Sequence, residues 1–190
     1  ASINIPDSVT SIGSYAFSSC SSLTNITIPE GVTEIGYQAF WGCKVLSVTI
    51  PNTVTSIEER AFFQCSLLND VRIPDSVSSI GDWAFWSCNK LTSVIIPNSV
   101  ISIGKKAFHG CATLTSLVIP NNVTNIGEGA FESCSNLTSV TISNDITTVS
   151  GQMTDIGKYA FSSCRKLNSV VIGNGVTCIG EGAFGFCHNL

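Results

Sequence analysis

The side chains of this 190-residue sequence best suited to nucleophilic, redox or metal chemistry are nine cysteines and two histidines. Eight cysteines (Cys20, Cys43, Cys65, Cys88, Cys111, Cys134, Cys164 and Cys187) recur about every 23 residues, and Cys178 stands apart. Zinc would require paired C-x-x-C or Cys/His spacings, and the sequence has none. If the eight form one column in successive layers of chain, neighbours lie about 4.8 Å apart, within the Cα separation a disulfide tolerates. Parallel side chains in such layers point the same way, however, which is poor disulfide geometry. The spacing therefore predicts buried free thiols acting as small hydrophobes. Cys178 occupies a slot held elsewhere by Ser, Glu, Asn or Asp and is expected to be exposed. His109 and His188 lie beside column positions, but neither repeats and neither has a carboxylate in register, so Cys111 and Cys187 gain no Cys-His nucleophile pair. Glu58 and Glu59 read as an exposed acidic pair on a turn rather than an acid/base couple. "GEGAF" at 127–131 and 180–184 is too short and wrongly placed for a phosphate loop. The expectation is a chain with no catalytic site, no metal and no cofactor.

The cysteines belong to a longer phrase. Ile-Pro or its equivalent begins at Ile5, Ile28, Ile50, Ile73, Ile96, Ile119, Ile142 and Ile172, and Ala-Phe begins at Ala16, Ala39, Ala61, Ala84, Ala107, Ala130, Ala160 and Ala183. One residue is missing, placed by this reading after Leu46, and seven are added near 147–153. There "ITTVSGQMTDIG" doubles the Val-x-x-Ile step as Ile146/Val149 and Met153/Ile156. A period of this length means a solenoid of stacked coils, here one domain over 1–190. A lone coil cannot fold, because burying each apolar side chain contributes roughly 1.5–3 kcal/mol whereas ordering each residue costs about 1.5 kcal/mol. Stacking buries both faces of each coil and completes its backbone hydrogen bonds.

Within a coil, Leu-x-x-Ile-x-Ile ends in period-2 alternation, so Ile26 and Ile28 face inward from a short parallel strand and Thr27 faces out. Leu91, Val94 and Ile96 repeat that pattern. All six prolines follow this strand, where a missing N–H ends a ladder. Val-x-x-Ile-Gly fits neither pure strand nor helix and is read as a bent second edge. Its glycine suggests a positive φ or a close backbone approach, although Glu58 fills that slot in the third copy. Ala-Phe-x-x-Cys-x-x-Leu has the rhythm of a short 3₁₀ or α turn.

The phrase L-x-x-I-x-I-P-x-x-V-x-x-I-G-x-x-A-F-x-x-C resembles the BspA-like, or Treponema-type, leucine-rich repeats of bacterial and protist surface proteins, and it covers essentially the whole chain. The resemblance implies a right-handed leucine-rich-repeat solenoid of eight coils, with short parallel strands on its concave face and little helix. It further implies an extracellular or cell-surface location, with adhesion or binding of host proteins as the role and no catalytic residues.

Only 12% of residues are charged and the net charge is −4, which argues against nucleic acid as a partner, and no apolar run approaches membrane-spanning length. Each slot of a solenoid forms a line on its surface. The slot after Ala-Phe places Trp41, Phe63, Trp86 and His109 in one ridge, with Trp83 close by. Such a ridge is either a contact surface or a set of rings that stack and shield the returning backbone. The outward strand row places Ile95 and Val118 beside Arg72 as a second candidate patch, although β-branched residues also favour strands. Sequons at Asn25, Asn122 and Asn136 would matter in a secreted eukaryotic protein. Joining Leu190 to Ala1 continues the phrase in phase, and no capping unit is evident at either end. Head-to-tail stacking through Ile3, Ile5, Phe184, Cys187 and Leu190 is therefore an alternative to a protein-binding scaffold, and would give a filament.

Overall fold

The computed structural model describes residues 2–143 and 154–190. The doubled step at Ile146/Val149 and Met153 and the added residues 147–153 lie outside them. The described chain is a parallel β-solenoid, and its coils are numbered here 1 to 8 by their Ala-Phe pairs.

One side is built from Ser2–Asn4, Asn25–Thr27, Ser47–Thr49, Asp70–Arg72, Ser116–Ile119, Ser139–Ile142 and Ser169–Ile172. Pairing is parallel with like slots opposite: Ile3 with Ile26, Val48 with Val71, and Leu117 with Val140 and then Val170. Alternation places Ile26 and Val48 inside and Thr27 and Thr49 outside. The strand expected after Leu91 forms no ladder with either neighbour. Thr92 N–H and Oγ1 both donate to Asn69 O, at 3.5 and 3.4 Å, and side-chain burial keeps the rest in line, with Val94 and Ile96 inside and Ile95 outside. Each proline then opens a turn closed by its carbonyl and the valine three residues on, as in Val77 N–H to Pro74 O at 3.1 Å.

The second edge is a strand row in its own right. Two-residue strands such as Ser56–Ile57, Ser79–Ile80 and Ser102–Ile103 pair in parallel, and with Asn125–Ile126, Thr154–Ile156 and Val176–Ile179 they form one continuous six-stranded sheet. The following glycines are not in the left-handed region. They are required by close approach: a Cβ on Gly104 would lie 2.6 Å from Asp82 N and Gly81 C, and one on Gly127 2.6 Å from Gly104 C and Lys105 N.

The third side contains no helix among the described residues. It is a run of overlapping turns in which N–H groups alternate between their own coil and the next. Phe85 donates to Ala107 O, Trp86 to Trp83 O, Ser87 to His109 O and Cys88 to Phe85 O, at 2.7–3.2 Å. Two residues per coil, the one before Ala and the one before Cys, take a left-handed backbone, as a type II turn requires. Most are not glycine: Tyr15, Arg60, Trp83, Lys106, Tyr159 and Ser87 are among those at φ of 52–61°. The expected 3₁₀ or α turn fails because a helix would spend every N–H within its coil, whereas this path spends alternate ones on the neighbour.

Inside, one phenylalanine per coil forms a column with ring centroids 5.1–5.3 Å apart and planes within 10°. Both sheets are interrupted between coils 2 and 3. Val45, not Leu46, fills the buried leucine slot and Leu46 is exposed, so the missing residue lies between Cys43 and Val45 rather than after Leu46. On the other sheet, Glu58 stands where the glycine belongs. The bond recurring elsewhere, such as Gly81 N–H to Ile57 O at 2.8 Å, has no counterpart from Glu58 to Ile35 among the described residues.

Candidate interaction surface

The thiols are the most reactive side chains of the fold. All nine cysteines are free. Those of coils 2 to 8 each donate to the carbonyl of the preceding coil's phenylalanine, from Cys43 Sγ to Phe17 O at 3.0 Å through Cys187 Sγ to Phe161 O at 3.2 Å. Cys20, in coil 1, is exposed rather than buried, and Cys187 is half-buried. Cys178 is exposed as expected. Burial pushes the Cys43 thiol up to about 11 and those of Cys111 and Cys164 to about 12, while Cys88 and Cys134 rise well above the ordinary range. These thiols stay protonated in the fold but ionise near their ordinary value once unfolded. Their contribution to stability is therefore complete below about pH 8.5 and is lost as pH rises through the raised values. A colorimetric thiol assay at pH 8 on native protein should find Cys20 and Cys178 fast, Cys187 slower and the rest silent until unfolding. Uniform reaction of the column would contradict the burial.

The structure brings the predicted ridge together. Trp41 meets Phe63 edge-on at 6.2 Å, Phe63 stacks on Trp86 at 4.6 Å, and Trp86 stacks on His109 at 5.7 Å. Each of these side chains is half-buried. Trp41 Nε1 also donates to Gln64 Oε1 at 3.2 Å. At the far end His109, expected to lack a carboxylate in register, has one: Glu132, in the same slot of the next coil, places Oε2 3.3 Å from His109 Nδ1, and Lys106 Nζ lies 4.0 Å from the same oxygen. Burial lowers the imidazole's proton affinity, with Glu132 opposing and Lys106 adding to that shift.

Trp83, expected close by the ridge, belongs to a second line of its own. Its ring carries the Arg60 guanidinium at 4.4 Å, and Arg60 lies 5.9 Å from the Tyr37 ring, which meets Tyr15 edge-on at 5.3 Å. The left-handed backbone before Ala turns Tyr15, Arg60 and Trp83 outward. The signal was available in the column preceding Ala, which runs Tyr15, Gln38, Arg60, Trp83. Arg60 also pairs with Glu59 at 2.6 Å. Glu58 and Glu59 are half-buried, not an exposed pair, and each has an adjacent donor, Arg60 for Glu59 and Ser56 for Glu58, whose Oε1 it reaches at 2.6 Å.

On the strand side, Ile95 is 81% exposed and Val118 57%, and both are large apolar side chains left in solvent beside exposed Arg72. A depression of about 390 Å³ runs between Arg72 and Ile95, and another of about 430 Å³ between Ile95 and Val118. Of the residues proposed for end stacking, Ile3 and Leu190 are exposed, Phe184 and Cys187 are half-buried, and Ile5 is buried. Among the described residues no group of His, Cys, Asp or Glu could hold a metal ion, and no helix is long and apolar enough to cross a membrane.

The BspA type leucine rich repeat region matches this chain in six copies, over residues 1–111, 40–155 and 67–190. The chain belongs to the BspA-type leucine-rich repeat family. A leucine-rich repeat protein of Treponema pallidum superposes with a TM-score of 0.74 at 26% identity, over 100% of this chain and 77% of that one. One from Bacteroides ovatus gives 0.69 at 30% identity, over 98% and 58%. A protein of Faecalibacterium prausnitzii described as a leucine rich cell surface protein gives 0.57 at 27% identity, over 92% and 60%. This BspA-type chain thus spans about 58–77% of the length of these structures. Among curated proteins, none matches it. BspA-type repeats form a scaffold suited to protein–protein interaction and typically non-enzymatic.

Proposed function

We propose that this solenoid is a non-enzymatic cell-surface or extracellular scaffold that binds a protein partner in an adhesive role, through the aromatic ridge on its turn side. The observation that carries this reading is the unbroken run Trp41–Phe63–Trp86–His109, held in register across four coils by one edge-on and two stacked ring contacts. Half-buried tryptophans fixed by their neighbours lose little rotamer freedom on binding, which is the character of interface hot spots. The surface location is supported by the Faecalibacterium relative, described as a cell surface protein. The Arg72, Ile95, Val118 patch is a second candidate surface on the opposite flank of the coils.

The test is surface plasmon resonance against an extracellular protein that the wild-type chain captures. Trp41→Ala combined with Trp86→Ala should leave the circular dichroism spectrum nearly unchanged and weaken binding by about tenfold or more. The control pair Thr27→Ala with Thr141→Ala, on the strand side, should bind like wild type. Unchanged affinity in the tryptophan double variant removes the ridge as the contact surface.

A further inference from the structure

Charge is distributed unevenly around the coil. The two slots after each column cysteine hold Lys44, Lys90, Arg165 and Lys166, four of the chain's nine Lys and Arg residues, together with His188 and no carboxylate, although the whole chain carries −4. Elsewhere on the turn side the cations are already matched: Arg60 with Glu59, Lys105 with Glu128, Lys106 with Glu132 and Lys158 with Glu181. Lys44 instead donates to Ser66 Oγ at 2.8 Å, and no carboxylate partner is found for it or for exposed Lys90 among the described residues. This cationic edge adjoins the ridge directly. A depression of about 410 Å³ is lined by Gly42, Lys44, Gln64, Ser66, Trp86 and Asn89.

We infer that the partner of the ridge is an acidic peptide segment lying along this edge, its carboxylates on Lys44 and Lys90. The inference rests on the ridge reading above. Three physical points favour a peptide over an acidic glycan or a neutral apolar partner. Both faces of Trp86 and the inner faces of Phe63 and His109 are spent on one another, so the part of the ridge beside Lys90 has no central ring face for a sugar to stack on. What the ridge presents is ring edge, which carries partial positive charge and attracts carboxylate and carbonyl oxygens. Lys44 and Lys90 are two coils apart, about 10 Å at the usual strand spacing. An extended polyproline-II segment places every third side chain on one side at about 9 Å, so glutamates at that spacing meet both ammonium groups while the backbone crosses Ser66 and the Trp86 edge.

The experiment uses the emission of the three tryptophans, Trp41, Trp83 and Trp86, titrated with three probes: an unstructured peptide with Glu at every third residue, the same peptide with Gln, and an oligogalacturonate of equal charge. The expected result is saturable binding of the Glu peptide that weakens steeply with salt, with at least tenfold weaker binding of the Gln peptide and of the oligogalacturonate. Lys44→Glu combined with Lys90→Glu should lower Glu-peptide affinity at least tenfold and restore it toward a Lys-bearing peptide. Equal binding of Glu and Gln peptides, tighter binding of the oligogalacturonate, or indifference to the lysine reversals overturns the inference. Partner capture lost in the Trp41/Trp86 double variant but untouched by the lysine reversals would leave the ridge standing and remove only the acidic segment.

Discussion

Gly104→Ala and Gly127→Ala are expected to lower the thermal unfolding midpoint by about 4–10 °C, whereas Gly13→Ala leaves it unchanged or slightly raised. A methyl group on Gly104 or Gly127 would sit 2.6 Å from backbone atoms of the preceding coil, while on Gly13 it meets nothing within 4 Å. Backbone cannot turn aside as a flexible side chain can, so the coils must part. Overpacking of this kind costs about 1–3 kcal/mol, and 1 kcal/mol shifts the midpoint of a domain this size by roughly 2–4 °C. At Gly13 the only effect is loss of chain entropy in the unfolded state, worth about 0.4–1 kcal/mol in favour of alanine. The chain already contains a natural version of the experiment at Glu58, where the sheet is interrupted. Scanning calorimetry of the three variants decides it, and three equal midpoints would show that the close approach is not what glycine serves.

Phe108→Ala should have the larger effect. Phe108 is fully buried and stacks on Phe85 at 5.1 Å and Phe131 at 5.2 Å. Truncating such a ring costs about 3–5 kcal/mol, or roughly 10 °C or more in midpoint. In a one-dimensional array the loss falls on two nearest-neighbour interfaces at once, so coils 1 to 4 should uncouple from coils 6 to 8. The tryptophans report this uncoupling, because Trp41, Trp83 and Trp86 all lie in coils 2 to 4. Denaturant unfolding followed by tryptophan emission and by circular dichroism should coincide in wild type and separate in the variant. Coincident curves with a midpoint shift of only a degree or two would mean that the column is not what couples the coils. Phe17→Ala, in half-buried coil 1 packing, should cost distinctly less.

The architecture was legible because its determinants are local and repeated: the inward Ile of each strand, the proline that ends it and the Phe and Cys that fill the core all hold their slots. What was misread depends on the neighbouring coil. Val45 and Leu46 are equally apolar, and only pairing of Val48 with Val71 shows which of them is three residues before the strand's inward position. The glycine after Ile126 reads equally as a positive φ or a close approach, and only the backbone of coil 5 against it decides for close approach. The left-handed residues carry no composition signal, since arginine, tryptophan, tyrosine and serine all occupy them; inter-coil hydrogen bonds offset their cost of about 1–2 kcal/mol each. The ridge was legible as a column, but its ring-on-ring packing and the Tyr37–Arg60–Trp83 line required side-chain positions.

The interruption between coils 2 and 3 also bears on mechanics. At that junction the turn edge is intact, with Phe40 N–H to Ala61 O and Gly42 N–H to Phe63 O both at 2.8 Å. On the two sheet edges no ladder crosses it: the strand side keeps one backbone bond, Leu46 N–H to Thr24 O at 3.0 Å, beside side-chain contacts such as Thr53 Oγ1 to Glu30 O at 2.8 Å. A rod bonded on one edge and loosened on the other two is anisotropic in stiffness: it yields to bending about the turn edge while resisting shear along it. Trp41 lies on one side of that line and Phe63 on the other, and theirs is the one ridge contact that is edge-on rather than stacked. Bending of the rod is therefore concentrated beside the ridge, so that flexure of the scaffold and the shape of its contact surface meet at the same junction.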